Sequence, residues 1–393
     1  MSMSSSNFQA EAALSMLSDT SHAMSEVVDG ILERLGGNPD IATLFFTPHH
    51  AHQANLLRDE LQYRLGAEVS IGCSASGVVA GAVEIEDGPG LSLWAARIPG
   101  ARAQSFHLSF EEEGDTGMVR GWPDVGEEAS IVLLADPFSF PLSPFLDSLR
   151  QMKHMPPIVG GVASGGNHPG SNRFIVEDRI VETGAVGFVL DGAATIEPLV
   201  SQGCRPLGKP FIVTRSKNNV IFELNELPAY QGLDSMVNDL DEEDSKRFRQ
   251  APQVGLRKVD STGDLGSDGF VIRGVVGVDK QTGAVAVSDQ VRDGMELQFH
   301  ARDHQTAHQD LGDTLGLASS LYPGSAGALL FTCTGRGQGL FGRTNHDAGL
   351  ANTYFPETAV AGMFAAGEIG SVCGMPYIHG FSVSMGLLVE REG

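Results

Sequence analysis

The chain has 393 residues, 41% of them hydrophobic and 19% charged, enough to bury two substantial cores. Its 49 acidic side chains against 26 basic ones give a formal net charge of -23. Such a field repels phosphate backbones and anionic headgroups, which argues against nucleic acid and membrane surfaces as partners.

The opening MSMSSSNFQAEAALSML carries neither a basic leader nor a long apolar run. No later stretch approaches the roughly 20 apolar residues that cross a bilayer. Cys73, Cys204, Cys333 and Cys373 share no CxxC spacing, an inventory that fits a reduced, cytoplasmic protein. Met24, Val27, Val28, Ile31, Leu32 and Leu35 recur at helical spacing before Gly36-Gly37, so a surface-packed helix is predicted over Ala10 to Leu35.

Next, residues 43–77 overlay residues 131–165 without a gap. Asp59/Asp147, Leu61/Leu149, Gly72/Gly160, Ala75/Ala163, Ser76/Ser164 and Gly77/Gly165 are identical, and Leu44–Phe46 matches the apolar run Val132–Leu134. A duplicated strand-loop-helix-strand unit ending in GxxASG accounts for this economically. Further strands are expected at Leu91–Arg97, Gln104–Phe110, Gly184–Leu190 and Phe211–Thr214. A helical, then acidic-basic run over Leu227–Gln250 marks a domain boundary. Beyond it come strands near Phe270–Val278, Ala284–Val287 and Met295–Ala301, a polar helix over Asp303–Leu317 and the apolar strand Gly327–Thr334.

The expected organisation is a helical extension over 1–38, an internally duplicated domain over 39–226 and an α/β domain over 227–393. The fold class is α/β of the α+β type, with β-rich mixed sheets covered by helices.

The strand ALLFTCT runs into GRGQGLFG, which formally contains GxGxxG. A dinucleotide fold would continue with an apolar helix and a strand ending in an acidic residue, whereas Arg343 to Asp347 is polar and Glu357 lies between Pro356 and Thr358. No cofactor is expected. The glycines can instead expose backbone amides to a small anion, with Arg336 as a bidentate donor; the plainer reading is a tight turn with Arg336 in an ion pair.

Glu368 and His379 fall in glycine-flanked loops beside apolar strands. Cys333, His379 and Glu368 can be drawn as nucleophile, base and orienter, but a cysteine inside an apolar strand is ordinarily an inert small hydrophobe. His49, His50 and His52 lack the carboxylate or thiolate support of a metal site, so no metal is expected. Ser74, Ser76 and Ser164 lack the GxSxG elbow of a hydrolase.

IGCSASGVV, VGGVAS, ETGAVGFVLDG, the CRPLGKPFIVTRSKNNVIFELNELPAYQGL passage, TCTGRGQGLFG and VAGMFAAGEIG with the later His379 together resemble the FIST N and FIST C domains, in the family's order from about residue 40. That resemblance implies an intracellular signal-transduction module that senses small ligands such as amino acids, its signal passing to a separate signalling protein. The family supplies no catalytic residues to carry over.

The expected ligand is therefore an amino acid or similar small polar metabolite. The expected site gathers Arg336, Gly337, Gly339, Glu368, His379, Ser76 and Ser164, with Arg336 facing a carboxylate and Glu368 an amine. Two alternatives stand beside it: an enzyme using Cys333 or His379 in thiol or hydrolytic chemistry, and a protein-interaction scaffold.

Overall fold

The computed structural model describes residues 8–113, 116–152, 154–257, 270–372 and 374–391; Cys373 and the first seven residues lie outside these. The chain forms two compact units, one from the chain up to Ser201 together with the segment from Gly312, the other Gln202–Leu311.

The first unit begins with β1 (Gln9–Ser15), α1 (Thr20–Leu35) and β2 (Ile41–Phe46). The helical span predicted from Ala10 is thus corrected: QAEAALS alternates, placing Ala10, Ala12 and Leu14 on one core, and the helix starts only where Asp19 caps the His22 amide. Its end is as read, at a left-handed Gly36.

The chain continues through α2 (Pro48–Ala51), α3 (Ala54–Asp59) and a π-helical turn (Glu60–Leu65) to β3 (Val69–Ser74), β4 (Val78–Ala80), β5 (Val83–Ile85) and β6 (Leu91–Arg97). A second round runs β7 (Ala101–Glu113), β8 (Thr116–Arg120), β9 (Ser130–Ala135), α4 (Leu142–Leu149), β10 (Ile158–Val162), β11 (Phe174–Val176), β12 (Arg179–Val181) and β13 (Ala185–Gly192).

A third round opens with β14 (Ala194–Ser201), and the second unit follows. It contains β15 (Cys204–Lys217), β16 (Val220–Leu224), β17 (Leu227–Pro228), α5 (Ala229–Asp239), α6 (Glu242–Gln250), β18 (Gln253–Arg257), β19 (Phe270–Asp279), β20 (Ala284–Val287) and β21 (Glu296–Arg302). After α7 (His304–Leu321) come β22 (Gly327–Cys333), α8 (Gly337–Phe341), α9 (His346–Tyr354), β23 (Ala359–Ala365), β24 (Glu368–Val372), β25 (Met375–His379) and β26 (Val383–Glu390).

Three sheets of the first unit share one strand order. β1-β6-β2-β3-β11-β12, β7-β13-β9-β10-β24-β25 and β14-β26-β22-β23-β4-β5 each hold a central parallel pair, two antiparallel strands on one side and a hairpin on the other, and β8 adds a seventh strand beside β7 in the second. In every case the hairpin comes from a different round of the chain: β4–β5 joins β23, β11–β12 joins β3 and β24–β25 joins β10.

The register repeats as well. The amides of Thr47, Asp136 and Cys333 donate to the carbonyls of Gly90, Gly184 and Ser382 at 2.9, 2.9 and 3.1 Å. Gly72, Gly160 and Gly362 sit where an added Cβ would meet the carbonyl oxygens of Leu44, Leu133 and Leu330. Residues 43–77 contain the parallel pair β2–β3, residues 131–165 the pair β9–β10 and residues 327–367 the pair β22–β23.

The parallel strands are buried along their length apart from Ala359 at the start of β23, as expected where both faces of a sheet are covered. Inner faces meet in one core containing Phe45, Trp94, Phe188 and Phe331, while α1 and α4 cover outer faces of the first two sheets.

The compact units divide the chain after Ser201 and again after Leu311. β26 pairs with β14 and β24 with β10, so the last third of the chain completes sheets begun in the first half. In the second unit β15 pairs with both β21 and β16, closing the circuit β15-β21-β18-β19-β20-β16 into a barrel around Leu207, Val254, Val285 and Phe299.

Candidate functional site

The C-terminal ends of β3, β10 and β23 meet in the first unit, each followed by a small-residue loop: Ala75-Ser76-Gly77, Ala163-Ser164-Gly165 and Ala366-Gly367. The loops bond to one another. Gly165 N–H donates to the Ser74 carbonyl at 3.3 Å, Ala366 N–H to Val162 at 3.0 Å and Phe364 N–H to Gly77 at 2.9 Å. Ser164 Oγ accepts the Ser76 amide at 2.9 Å and donates to the Phe364 carbonyl at 2.5 Å. An added Cβ at Gly77 would lie 2.5 Å from the Ile85 oxygen, and at Gly165 2.7 Å from Ser74 Cβ, so only glycine permits this approach. Ser76 and Ala366 are exposed and Ser164 is half-buried. Strand ends converging at a topological switch are where open α/β sheets place their ligands.

Directly behind the third loop lies a buried polar cluster. Arg336 is 1% exposed and forks onto Asp347, Nε to Oδ2 at 2.7 Å and Nη2 to Oδ1 at 2.9 Å. Its Nη1 donates to the Phe381 carbonyl, and its guanidinium carbon stands 5.1 Å from the centre of the Phe341 ring. Asp347 also accepts Thr332 Oγ1 at 2.5 Å and bonds His346 Nδ1 at 2.8 Å. Burial opposes the charge on Asp347, yet Arg336, His346 and Thr332 hold its carboxyl well below the usual range. Desolvation likewise opposes the charge on Arg336, and Asp347 outweighs it, raising the guanidinium further.

Glu368 is wholly buried. Its Oε2 accepts the Ser382 amide at 3.1 Å and the Ser382 hydroxyl at 2.7 Å, while Oε1 has no hydrogen-bond partner among the described residues. Burial pushes its carboxyl up to about 8, with Ser382, the Cys333 thiol and Arg336 pulling the other way. Burial and the neighbouring Glu368 push the Cys333 thiol up to about 12, which leaves almost no thiolate near neutral pH and works against Cys333 as a nucleophile.

His379 stands opposite Glu368 in the β24–β25 ladder, so the two share one face, and its Nε2 lies 3.2 Å from the Gly370 carbonyl. Phe381, whose carbonyl meets Arg336, has φ of 61°, a strained conformation for a bulky side chain.

Arg336, Glu368 and His379 are therefore brought together, but indoors. Arg336 spends its fork on Asp347, a partner the sequence reading missed although the polar run Arg343 to Asp347 is plain in it. Gly337 is buried with φ of 56°; its added Cβ would lie 2.3 Å from Glu86 Oε2. Glu86 accepts the Gln338 amide through both oxygens at 2.9 Å, occupying the amide that a nucleotide phosphate would need. Gly339 is exposed, with nothing near its Cβ position. Glu84, also unremarked in the sequence, accepts the His346 and Ala348 amides at the start of α9, and burial lifts its carboxyl to about 7.

Outside the cluster, His50 is buried against Thr20 Oγ1 at 3.0 Å, and burial lowers its imidazole to about 4. Among the described residues no group of three or more His, Cys, Asp or Glu side chains could hold a metal ion, and no helix is long and apolar enough to cross a membrane.

Comparison with known proteins gives the chain a family. The FIST N domain model matches residues 40–227 and the FIST C domain model residues 229–371. An uncharacterized protein of Mycobacterium tuberculosis (strain ATCC 25618 / H37Rv) is 36% identical over 375 residues, covering 95% of this chain and 97% of its own. An uncharacterized protein of Mycobacterium bovis is 35% identical over 375 residues, covering 95% of this chain and 96% of its own. FIST domains are generally regarded as small-ligand-binding signal-transduction domains, and on these matches the chain belongs to the FIST family.

Proposed function

We propose that the protein is a receptor for an amino acid or similar small polar metabolite, bound where the loops of Ser76, Ser164 and Ala366 meet and reaching inward to Glu368. The observation that carries this reading is the unpartnered Oε1 of a wholly buried carboxyl directly behind the third loop. A buried polar atom left unpaired costs of the order of 1–3 kcal/mol, which a ligand donor returns on binding.

An amine arriving at Oε1 favours the charged carboxylate, so binding near neutral pH releases a proton from Glu368. The ligand carboxylate falls to the exposed Ser76 hydroxyl, since Asp347 occupies Arg336 and the Ser164 hydroxyl already donates to Phe364. Arg336 then acts by holding Phe381, whose strained backbone covers the cluster, and His379 lines the same face as Glu368.

Thermal-shift titration with the common amino acids and simple amines tests the reading, because a ligand that binds only the folded state raises its apparent stability. A hit is expected whose shift falls in Ser76→Ala and disappears in Glu368→Gln. Undiminished binding in Glu368→Gln overturns the assignment.

A further inference from the structure

The barrel unit carries a groove of about 370 Å³ between α5, the end of α6 and β19. Leu233, Val237, Phe248 and Val275 supply its apolar walls, and Arg249 and Lys280 stand exposed at its rim. The volume is that of a small-molecule site.

The two cations are the informative feature. In a chain where acidic side chains outnumber basic ones 49 to 26, carboxylate partners are in excess. Yet neither Arg249 nor Lys280 forms an ion pair among the described residues. Arg249 Nε donates to Ser245 Oγ at 3.2 Å, and Lys280 Nζ lies 5.5 Å from the Tyr230 ring centre. Asp234 also borders the groove, but it is engaged by Tyr230 Oη at 3.4 Å and Asn238 Nδ2 at 3.2 Å.

An apolar trough rimmed by two cations free of carboxylates complements one chemical class. We propose that the barrel binds a small amphipathic monoanion, its aliphatic or aromatic body against Leu233 and Val275 and its carboxylate between Arg249 and Lys280. The apolar walls contribute by area and the charge-assisted bonds fix the orientation. This site is independent of the one around Glu368.

Octanoate is a suitable probe, titrated calorimetrically into the full chain with octanamide as the uncharged comparison. Octanoate is expected to bind at least about tenfold more tightly than octanamide, and Arg249→Gln/Lys280→Gln to erase that difference while leaving octanamide unchanged. Methyl-resolved NMR should place the largest shifts at Leu233 and Val275. The proposal fails if octanoate does not bind at millimolar concentration, if the double variant binds it as tightly as the parent chain, or if the shifted methyls lie elsewhere.

Discussion

Asp347 and Arg336 form a bidentate pair, 2.7 and 2.9 Å across, with both side chains sealed from solvent. The pair fastens the start of α9 to the turn after β22, and through Phe381 to the loop before β26. Removing one partner strands a charge indoors. Asp347→Ala is therefore expected to lower unfolding free energy by about 3–5 kcal/mol in urea denaturation. A loss below about 1 kcal/mol would show that Arg336 finds another partner.

Stability should depend on pH through Glu368. Its folded-state carboxyl is raised to about 8, so between the unfolded value near 4.3 and that point the folded chain holds a proton the unfolded chain has released. The stabilisation is complete at the acidic end and is lost as pH rises, with a slope of up to about 1.4 kcal/mol per pH unit. Glu84 adds a contribution of the same sign up to about 7. Glu368→Gln should flatten denaturation midpoints measured from about pH 5 to about pH 8; an unchanged slope assigns the titration to another group.

The three glycines facing leucine carbonyls make a graded series. Added Cβ atoms would stand 1.8 Å from Leu133 O at Gly160 and from Leu330 O at Gly362, but 2.9 Å from Leu44 O at Gly72. Gly160→Ala and Gly362→Ala are expected to cost at least about 1–3 kcal/mol, and Gly72→Ala less. Thermal melts of the three variants settle the order, and equal losses would deny that these contacts decide it.

Cys333 and Cys73 should resist iodoacetamide at neutral pH until the chain unfolds. Both are buried, and burial raises both thiols. Fast labelling of the folded protein that vanishes in Cys333→Ser would restore the thiol-enzyme reading.

Much of this architecture was legible as pattern. Leu91–Arg97 was read residue for residue as the strand it forms, because its flanks carry turn residues and its interior is apolar. Ser76 and Ser164, singled out by an 88-residue register, do touch. What the pattern could not supply was partnership at a distance. Arg336 meets Asp347 only because α9 folds back, and Glu84 reaches α9 across 262 positions through a hairpin lodged in another sheet. The third strand-helix-strand segment escaped notice because its small helices, α8 and α9, leave no apolar periodicity to compare with α3 or α4.

The exchange of hairpins among the three sheets bears on how the chain is made. β14 ends at Ser201, but its pairing partner β26 begins at Val383, so that sheet stays one-sided through the synthesis of the whole barrel and beyond. At ordinary ribosomal rates the delay is roughly 10–40 s. Throughout it the open edges of β14 and β10 wait for the late strands β26 and β24. A nascent chain of this design gains from a barrel that closes early, holding about a quarter of its length folded while the β14 sheet awaits its last strand.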